Sequence, residues 1–458
     1  MKKTFIFGLM AATLVFTACS EDDLNGNNGA SNSNQKGMVL RATVEQPGDT
    51  RATFTDNEGV WQFAFDNGDK VSVTNNDMTP DFYTFTNEGT EFKCEEAKAA
   101  EGPVTWYAYF PSNEVSLVGQ SGTKADVANK YALAGATASA TTGEEDLKIT
   151  MSPKVAILVI NNQKGAIDIS LTTAEIIDMS PMPPMTMPFK IQGLKANGAG
   201  FDLNYGDNPS LLSKTEKGTY YIAVPAGVQF VVKDGDTAIK STGTNGLQAG
   251  KYYNLTIFPF GQGEAKATGI GNVRWIQLWK DGPKFAEYNV GTTSVEDYGG
   301  YYTWGGAYAN GEGITWYDDH NTGTTSLTGN DDTATALWGS KWRMPTNAEL
   351  DDAKGGLLYE CNCTWTENYK GTDINGLLCT GKGDYESNSV FLPATGYCWQ
   401  GEVKDLGNFG SYWSSTPHDN DSWAWILGFG FDKYDVYDQS VKGRASQSGF
   451  SVRPVLAE

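Results

Sequence analysis

The sequence predicts a predominantly β protein, and three observations support this. Helical periodicity is scarce along the 458 residues, short segments alternate apolar with polar side chains, and Gly, Asn and Asp punctuate these segments almost throughout. With 40% hydrophobic and 12% aromatic residues, the chain has material for two or three domains that each bury a core. The formal net charge of -21 argues against nucleic acid as a partner.

The first residues predict export and lipid anchoring. Lys2 and Lys3 precede an uncharged apolar run that is shorter than the roughly 20 residues of a spanning helix, which is typical of a signal peptide over residues 1–18. The run ends directly at Cys19 and resembles the lipobox of bacterial lipoproteins. This resemblance implies cleavage before Cys19 and lipidation of its thiol, the alternative being an ordinary signal peptide with a chance cysteine.

An acidic cluster and a polar stretch follow the cysteine. "SEDD", residues 20–23, resembles the acidic export signal of Bacteroidetes lipoproteins, which implies a lipid-anchored protein exposed on the outer membrane. The alternative is a solvated start to a linker. Residues 19–37 are rich in Asn, Ser and Gly and predict a flexible tether, because they cannot bury enough apolar surface to fold.

Two runs predict a first β domain over residues 38–151. In "VWQFAFDNGDKVSVTN", residues 60–75, alternating aromatic side chains precede the turn dipeptide Asn67-Gly68 and a second alternating run. This pattern is typical of a hairpin with one buried face. "VTWYAYFP", residues 104–111, predicts a further strand that ends at its proline.

A second β domain is predicted over residues 152–260. "KVAILVINN", residues 154–162, is a nearly continuous apolar run that suits a strand covered on both faces, and "KYYNLTIF", residues 251–258, alternates. Two β-sandwich-like domains in series are the simplest interpretation.

This part of the chain also resembles a known family. "DTRATFTDNEGVWQFAFDNGDKVSVTN" and "LQAGKYYNLTIFPF" look like the beginning and end of a fimbrillin-family pilin of the Bacteroidetes, over residues 38–260. In that family a trypsin-like protease cuts the precursor after an arginine and removes an N-terminal strand, and a strand of the next subunit fills the groove. Arg41 and Arg51, each followed by Ala-Thr, are the matching positions.

The resemblance therefore implies strand exchange with other fimbrial subunits, in which an unpaired sheet edge is completed by another chain. The alternative is that both arginines are ordinary residues near an early strand. One departure matters, because shaft pilins keep their donor strand at the C-terminus and here a further domain follows. A terminal position in a filament, or a surface protein that does not polymerise, fits this order better.

Residues 261–271, "GQGEAKATGIG", contain little apolar surface and predict a flexible linker. Beyond them the composition changes, and most of the thirteen tryptophans lie from Trp275 onward. Five motifs then occur in order: "YYTWGG" (301–306), "WGSKWRMPTNAEL" (338–350), "VFLPATGY" (390–397), "GSYWSST" (410–416) and "GFSVRPV" (449–455). Together they resemble the domain named for major paralogous proteins of Fibrobacter succinogenes, which implies an α+β C-type-lectin-like fold over residues 272–458.

The residues themselves predict parts of this domain. Thr346 as N-cap and Glu349 three residues later predict the start of a short helix. Four aromatic residues are predicted to pack in a loop-rich core, where their N–H and O–H groups need partners. They are Trp338, Trp342, Tyr412 and Trp413.

A ligand-binding surface is predicted over residues 417–449, a segment rich in Asp, Tyr, Trp, Ser and Gln. Tyr and Trp supply large contact area at low entropic cost, and Asp, Ser and Asn adapt their hydrogen bonds. Strand alternation is expected to bury Trp425, Leu427 and Phe429 and to expose Trp423. The alternative is a solvated polar loop. The predicted contacts are Trp423, Asp432, Tyr434, Tyr437, Asp438 and Arg444.

The sequence predicts no metal site and no cofactor. Calcium is an alternative, because "DDHN" (318–321) and "DNDS" (419–422) supply oxygen ligands, but neither run matches an EF-hand loop. An even set of four cysteines in an exported domain predicts one or two disulfides of open connectivity, and Cys94 is predicted to be a buried thiol. The four are Cys361, Cys363, Cys379 and Cys398.

These observations predict a cell-surface lipoprotein adhesin or fimbrial tip protein. Its C-terminal lectin-like domain would bind a glycan or a protein ligand without catalysis, since neither histidine, His320 or His418, lies in a triad or metal motif. A structural fimbrial subunit or cap without its own ligand is the second hypothesis. A glycan-degrading enzyme is the third, although no carboxylate pair is singled out by its spacing.

Overall fold

The computed structural model describes most of the chain from Met38 to Ala457. The predictions for the signal peptide, Cys19, the tether and Arg51 therefore lie outside the described residues. Among the described residues no helix is long and apolar enough to cross a membrane. The described residues are 38–44, 65, 67–75, 82–89, 91–97, 103–131, 134–140, 146–173, 176–178, 185–187, 189–197, 200–206, 210–305, 325–351, 355–418, 423–431, 434–440 and 448–457.

Strands between Met38 and Pro153 form a closed barrel. Its strand order is β1-β4-β3-β2-β5-β7-β8, and its core contains Val71 and Val73 of the predicted hairpin together with Trp106. The first alternating run of that hairpin contains Trp61 and Phe63, which lie outside the described residues. The strands in this part of the chain are β1 (Met38–Val44), β2 (Lys70–Asn75), β3 (Tyr83–Asn87), β4 (Phe92–Cys94), β5 (Val104–Phe110), β6 (Glu114–Ser116), β7 (Ala134–Ala140) and β8 (Asp146–Pro153).

Strand β1 is paired with a neighbouring strand of the barrel on each of its two sides. It pairs antiparallel with β4 and parallel with β8, and it buries Met38 and Leu40. The Arg41 guanidinium lies 2.8 Å from the Glu91 carboxylate and 3.2 Å from that of Asp146. Arg41 is thus in the middle of a strand that is hydrogen-bonded on both sides.

The segment between β5 and β7 leaves the barrel. Strand β6 and helix α1 (Lys124–Asp126), which continues as a π-helical turn over Val127–Tyr131, pack on the strands that follow Pro153. β6 pairs with β13, and Val127 and Tyr131 join the core of the second unit, residues 155–257. The chain therefore crosses between the two units three times.

The second unit is built from several small sheets around one core. Strand β9 lies between β16, antiparallel, and β19, parallel, and most of its residues are buried, which confirms the strand covered on both faces. The strands are β9 (Val155–Asn162), β10 (Ile167–Thr173), β11 (Ile176–Asp178), β12 (Met185–Met187), β13 (Ile191–Asn197), β14 (Gly200–Tyr205), β15 (Leu212–Lys214), β16 (Gly218–Pro225), β17 (Phe230–Asp234), β18 (Thr237–Ser241) and β19 (Tyr252–Ile257).

The C-terminal unit, residues 262–457, combines short helices with several small sheets. One sheet has the order β20-β21-β22-β33-β23, so it joins the first and last strands of the unit. The helices are α2 (Thr333–Trp338), α3 (Asn347–Leu350) and α4 (Leu357–Glu360), with 3-10 turns at Gly329–Asp331, Tyr369–Gly371 and Gly383–Tyr385. The strands are β20 (Gln262–Ala267), β21 (Gly271–Gln277), β22 (Lys284–Ala286), β23 (Trp342–Arg343), β24 (Asn362–Thr366), β25 (Gly376–Thr380), β26 (Ser389–Pro393), β27 (Tyr397–Trp399), β28 (Glu402–Lys404), β29 (Phe409–Pro417), β30 (Trp423–Gly430), β31 (Tyr434–Ser440), β32 (Ser448–Gly449) and β33 (Val455–Leu456).

The predicted mainly β fold is confirmed, but the stretch predicted as a linker is ordered. Residues 262–267 form β20, which pairs along its whole length with β21. The reason is that Gly263 and Ala267 are buried while Glu264 and Lys266 face solvent. The strand alternates between buried and exposed residues, but its buried positions are Gly and Ala, which give only a weak hydrophobic signal in the sequence.

The helix start predicted at Thr346 is confirmed. The Thr346 hydroxyl accepts from the Glu349 N–H at 3.3 Å, and the Glu349 carboxylate accepts from the Thr346 N–H at 2.8 Å, which completes a capping box. The same carboxylate forms a two-point ion pair with Arg343, at 2.6 and 2.8 Å.

This pair predicts a pH-dependent contribution to stability. Burial opposes ionisation of Glu349, but hydrogen bonds from Arg343 and Thr346 outweigh it and lower the pKa of the carboxyl. Because the folded-state pKa lies below the unfolded value, the contribution is present above the unfolded pKa and disappears as pH falls through the folded one. Glu349→Gln should cost about 1.5 kcal/mol in urea unfolding at neutral pH and less in acid. Glu386→Gln, at an exposed position, is the control, and an equal cost for Glu349→Gln at both pH values would contradict this account.

One disulfide lies in the C-terminal unit. Cys363 and Cys379 are bonded to each other and face each other on the paired strands β24 and β25. Cys361 and Cys398 are buried, and Cys94 is a buried thiol in the barrel, as predicted.

Candidate ligand-binding surface

The segment predicted to bind ligand forms part of a three-stranded antiparallel sheet. Its order is β29-β30-β31, so β30 is the central strand. β30 and β31 pair without a register shift from Trp423 opposite Ser440 to Phe429 opposite Tyr434. β29 is buried from Gly410 to Ser415. Strands β29 and β30 are therefore packed against the core, and β30 supports β31 through its backbone hydrogen bonds.

Two separate cores lie against β30, and this corrects the predicted alternation. Leu427 and Phe429 are buried as predicted, but Ala424 and Ile426, which belong to the opposite face, are buried too. Trp425, predicted to be buried, is only half-buried. A strand sandwiched between two apolar clusters has no solvent face along its middle, so simple in-and-out alternation fails here.

The half-buried Trp425 marks the open end of the sheet. Its ring lies 4.9 Å from that of His418, centroid to centroid, with the planes inclined by 49°. His418 directly follows β29 and is itself half-buried. Trp425 also lies directly opposite Asp438 of β31. The backbone register therefore places position 438 directly opposite one member of this aromatic pair.

The structure places only some of the predicted contacts. Trp423 is in β30, and Tyr434, Tyr437 and Asp438 are in β31, so the backbone brings these four positions onto two hydrogen-bonded strands. Asp432 and Arg444 lie outside the described residues. His418 and Trp425 lie within the predicted segment 417–449 but are not among its predicted contacts, since Trp425 was expected to be buried; the proximity of a histidine to the tryptophan-rich run is a signal that could have pointed to them.

A buried arginine ties the segments beneath this surface together. The Arg453 guanidinium donates to the Asn289 side-chain oxygen at 2.8 Å and to the carbonyls of Ala286, Glu287 and Phe391 at 3.1, 2.8 and 2.9 Å. Burial lowers the pKa of Arg453 to about 10, so the group keeps its charge at neutral pH. One side chain thereby links the beginning, middle and end of the C-terminal unit.

The predicted aromatic core is confirmed. Trp338, Trp342, Tyr412 and Trp413 are all buried. Three of them donate to backbone carbonyls: Trp342 Nε1 to that of Lys266 at 3.0 Å, Trp413 Nε1 to that of Tyr302 at 2.7 Å, and the Tyr412 hydroxyl to that of Pro393 at 2.8 Å. Burial raises the pKa of Tyr412 to about 12, which keeps this donor protonated. These residues build the platform rather than the contact surface.

The described residues contain no cluster of three or more His, Cys, Asp or Glu side chains that could hold a metal ion. Both acidic runs considered for calcium, residues 318–321 and 419–422, lie outside the described part of the chain.

Comparisons with known proteins give the following findings. No family model matches the chain, and no curated protein matches it. Solved structures to which it is similar include a "putative cell adhesion protein" from Bacteroides ovatus, at 13% identity and a TM-score of 0.29, covering 49% of this chain and 93% of that one. Another, from Bacteroides uniformis, has 15% identity and a TM-score of 0.28, covering 52% and 96%. A third, from Bacteroides thetaiotaomicron, is described as "putative polysaccharide binding proteins", with 10% identity, a TM-score of 0.23 and coverage of 49% and 92%.

Proposed function

We propose that this protein is a cell-surface lipoprotein adhesin, or the tip protein of a fimbria, whose C-terminal unit binds a glycan or a protein. The observation that carries this proposal is the half-buried pair of Trp425 and His418 at the end of a rigid sheet. Ligand contacts of this kind combine an aromatic surface with polar groups that are held in place by a packed support.

The binding surface in this proposal consists of Trp423, Tyr434, Tyr437 and Asp438 on β30 and β31, together with Asp432 and Arg444. Trp425 and His418 extend it toward β29. The mechanism is non-covalent recognition, so the energetic contribution comes from buried aromatic area and from hydrogen bonds to Asp and Arg side chains. Lipidation at Cys19 would tether the chain to the outer membrane.

The test is binding of the purified full chain to a glycan array and to labelled bacterial and host surface proteins, with calcium and with chelator. The triple replacement of Tyr434, Tyr437 and Arg444 by alanine should reduce saturable binding by about a hundredfold or more, because contact residues of this type each contribute on the order of 1–2 kcal/mol. The sheet should remain folded by circular dichroism. A response to chelator would favour a calcium-dependent site, and unchanged binding by the triple variant would contradict the adhesin proposal.

The second candidate is a structural fimbrial subunit or cap. The position of β1 between β4 and β8 favours this candidate. Removal of β1 would leave β4 and β8 each with an unpaired edge, and a strand of another subunit could pair with both. Processing at Arg41 would divide β1, whereas processing at Arg51 would leave β1 whole on the released piece. A purely structural subunit should be indifferent to the triple replacement in the C-terminal unit.

The third candidate is a glycan-degrading enzyme. It predicts that purified chain shortens at least one of the polysaccharides on which binding is measured. Intact polysaccharide after prolonged incubation, together with saturable binding, would support the adhesin over the enzyme.

A further inference from the structure

A cleft of about 510 Å³ opens in the second unit, and all its lining residues belong to residues 154–228. One wall is the hairpin of β13 and β14, and the other is the segment after β16, residues 225–228, with Lys154 in front of β9. The volume lies within the range of small-molecule sites. It is large enough for one or two sugar rings.

The inner walls of the cleft are apolar and preformed. Leu194 and Leu203 face each other across β13 and β14, and Phe201 and Val228 complete the lining. All four pack against or belong to the core of the second unit. The Phe201 ring also contacts Tyr109 of the barrel, with centroids 5.2 Å apart. These supports hold the walls in place without a ligand.

The rim of the cleft is polar and balanced in charge. Its charged lining residues are Lys154 and Asp202, one of each sign, and Tyr205 adds a phenol that is 38% exposed. The Tyr205 ring lies 5.5 Å from that of Phe189, which fixes its position. Burial, with the nearby Asp202 charge, raises the pKa of Tyr205, so the hydroxyl is a donor at neutral pH. A lining of this kind suits a neutral ligand with many hydroxyl groups.

An added peptide strand fits this place less well. Strand β14 is at the edge of the sheet β14-β13-β6, where strand addition is a usual mode of recognition. However, β7 of the barrel lies close to β14, and Tyr109 of the barrel packs on Phe201. The barrel therefore crowds the edge that a strand would need, which favours a compact ligand in the cleft over an added strand.

We infer that this cleft binds a short neutral saccharide, as a second recognition site independent of the C-terminal unit. The C–H faces of a pyranose carry partial positive charge and pack favourably on the negative faces of aromatic rings, here Phe201 and Tyr205. Lys154, Asp202 and the Tyr205 hydroxyl then hydrogen-bond the sugar hydroxyls at the rim.

The test is saturation-transfer NMR on the full chain with four probes, the methyl glycosides of glucose, galactose, mannose and N-acetylglucosamine. At least one glycoside should receive transfer on its ring protons. Tyr205→Ala and Lys154→Met should each reduce this transfer about fivefold or more. Tyr359→Ala, at a tyrosine that is 61% exposed in the C-terminal unit, is the matched control and should leave it unchanged.

Two further outcomes decide the assignment. Transfer that persists in the Tyr434, Tyr437 and Arg444 triple variant would support a site separate from the C-terminal surface. No transfer from any of the four glycosides, or equal transfer in Tyr205→Ala and Tyr359→Ala, would overturn the inference. Hydrogen-exchange protection of β14 that grows with protein concentration, without any glycoside effect, would instead identify the cleft as a contact between copies of this chain and would also overturn it.

Discussion

Replacement of Arg453 by methionine should lower the free energy of unfolding of the C-terminal unit by about 4 kcal/mol. The variant keeps an unbranched side chain but removes the Arg453 donor from the Asn289 side-chain oxygen, from the buried carbonyls of Ala286 and Phe391, and from the half-buried carbonyl of Glu287. Each buried acceptor that loses its partner costs about 1–3 kcal/mol, and removal of the desolvated charge offsets part of the total. Urea unfolding followed by tryptophan fluorescence measures the change, because most tryptophans lie in this unit.

Two companion variants make this result specific. Arg453→Lys keeps the charge but cannot reach four acceptors with one ammonium group, so about half of the loss should remain. Lys341→Met, at an exposed position in the same unit, should change stability by less than about 0.5 kcal/mol. An Arg453→Met protein with the wild-type unfolding midpoint would show that the guanidinium does not link the segments as described.

Removal of the disulfide should have the second largest effect. Cys363 and Cys379 are separated by 16 residues, and closing a loop of this length restricts the unfolded chain by about 3 kcal/mol in the chain-entropy model. The double variant Cys363→Ala, Cys379→Ala should therefore lose about that amount, and reduction of the wild-type chain should reproduce most of the loss.

The nearby Cys361 does not compensate for the missing bond. Burial raises the pKa of its thiol to about 12, so almost none of it is thiolate at neutral pH and exchange with the disulfide is slow. Cys94→Ala, in the barrel, is the control and should leave the C-terminal transition unchanged. Reducing agent that fails to shift this transition would contradict a structural role for the bond.

The parts of the fold that could be predicted are those that a short sequence pattern, or a single large side chain, determines locally. The apolar run of β9 predicts a strand covered on both faces, the Thr346 and Glu349 spacing predicts a capping box, and Trp342 and Trp413 are buried with their N–H groups satisfied. Each depends on interactions within a few residues, or on a side chain too large and apolar to leave in water.

Other features depend on contacts that the sequence does not show. Residues 262–267 contain only small inward side chains, so the pairing of β20 with β21 is not visible as an apolar pattern. Strand β6 lies in the second unit, where Glu114 pairs with Lys195 and Ser116 with Gly193, and no local signal marks such distant partners. Trp425 is only half-buried, although Leu427 and Phe429 on the same face are buried, because alternation does not show how far the core extends along β30.

The candidate surface was likewise predictable from the sequence only in part. The many aromatic and acidic residues of segment 417–449 predict a ligand-binding surface there. The backbone brings four of its predicted contact positions onto adjacent strands, namely Trp423, Tyr434, Tyr437 and Asp438. The proximity of the His418 and Trp425 rings depends on the register in which β29 pairs with β30, which alternation alone does not determine.

The most direct test of the central claim is the affinity of the full chain, with Trp425 and His418 replaced by alanine, for a ligand found on the array. The account predicts a loss of about thirtyfold or more. Trp279→Ala, at another half-buried tryptophan of the same unit, should leave affinity unchanged. Wild-type affinity in the Trp425 and His418 variant, or an equal loss in Trp279→Ala, would contradict the claim that ligand is recognised at this end of the β29-β30-β31 sheet.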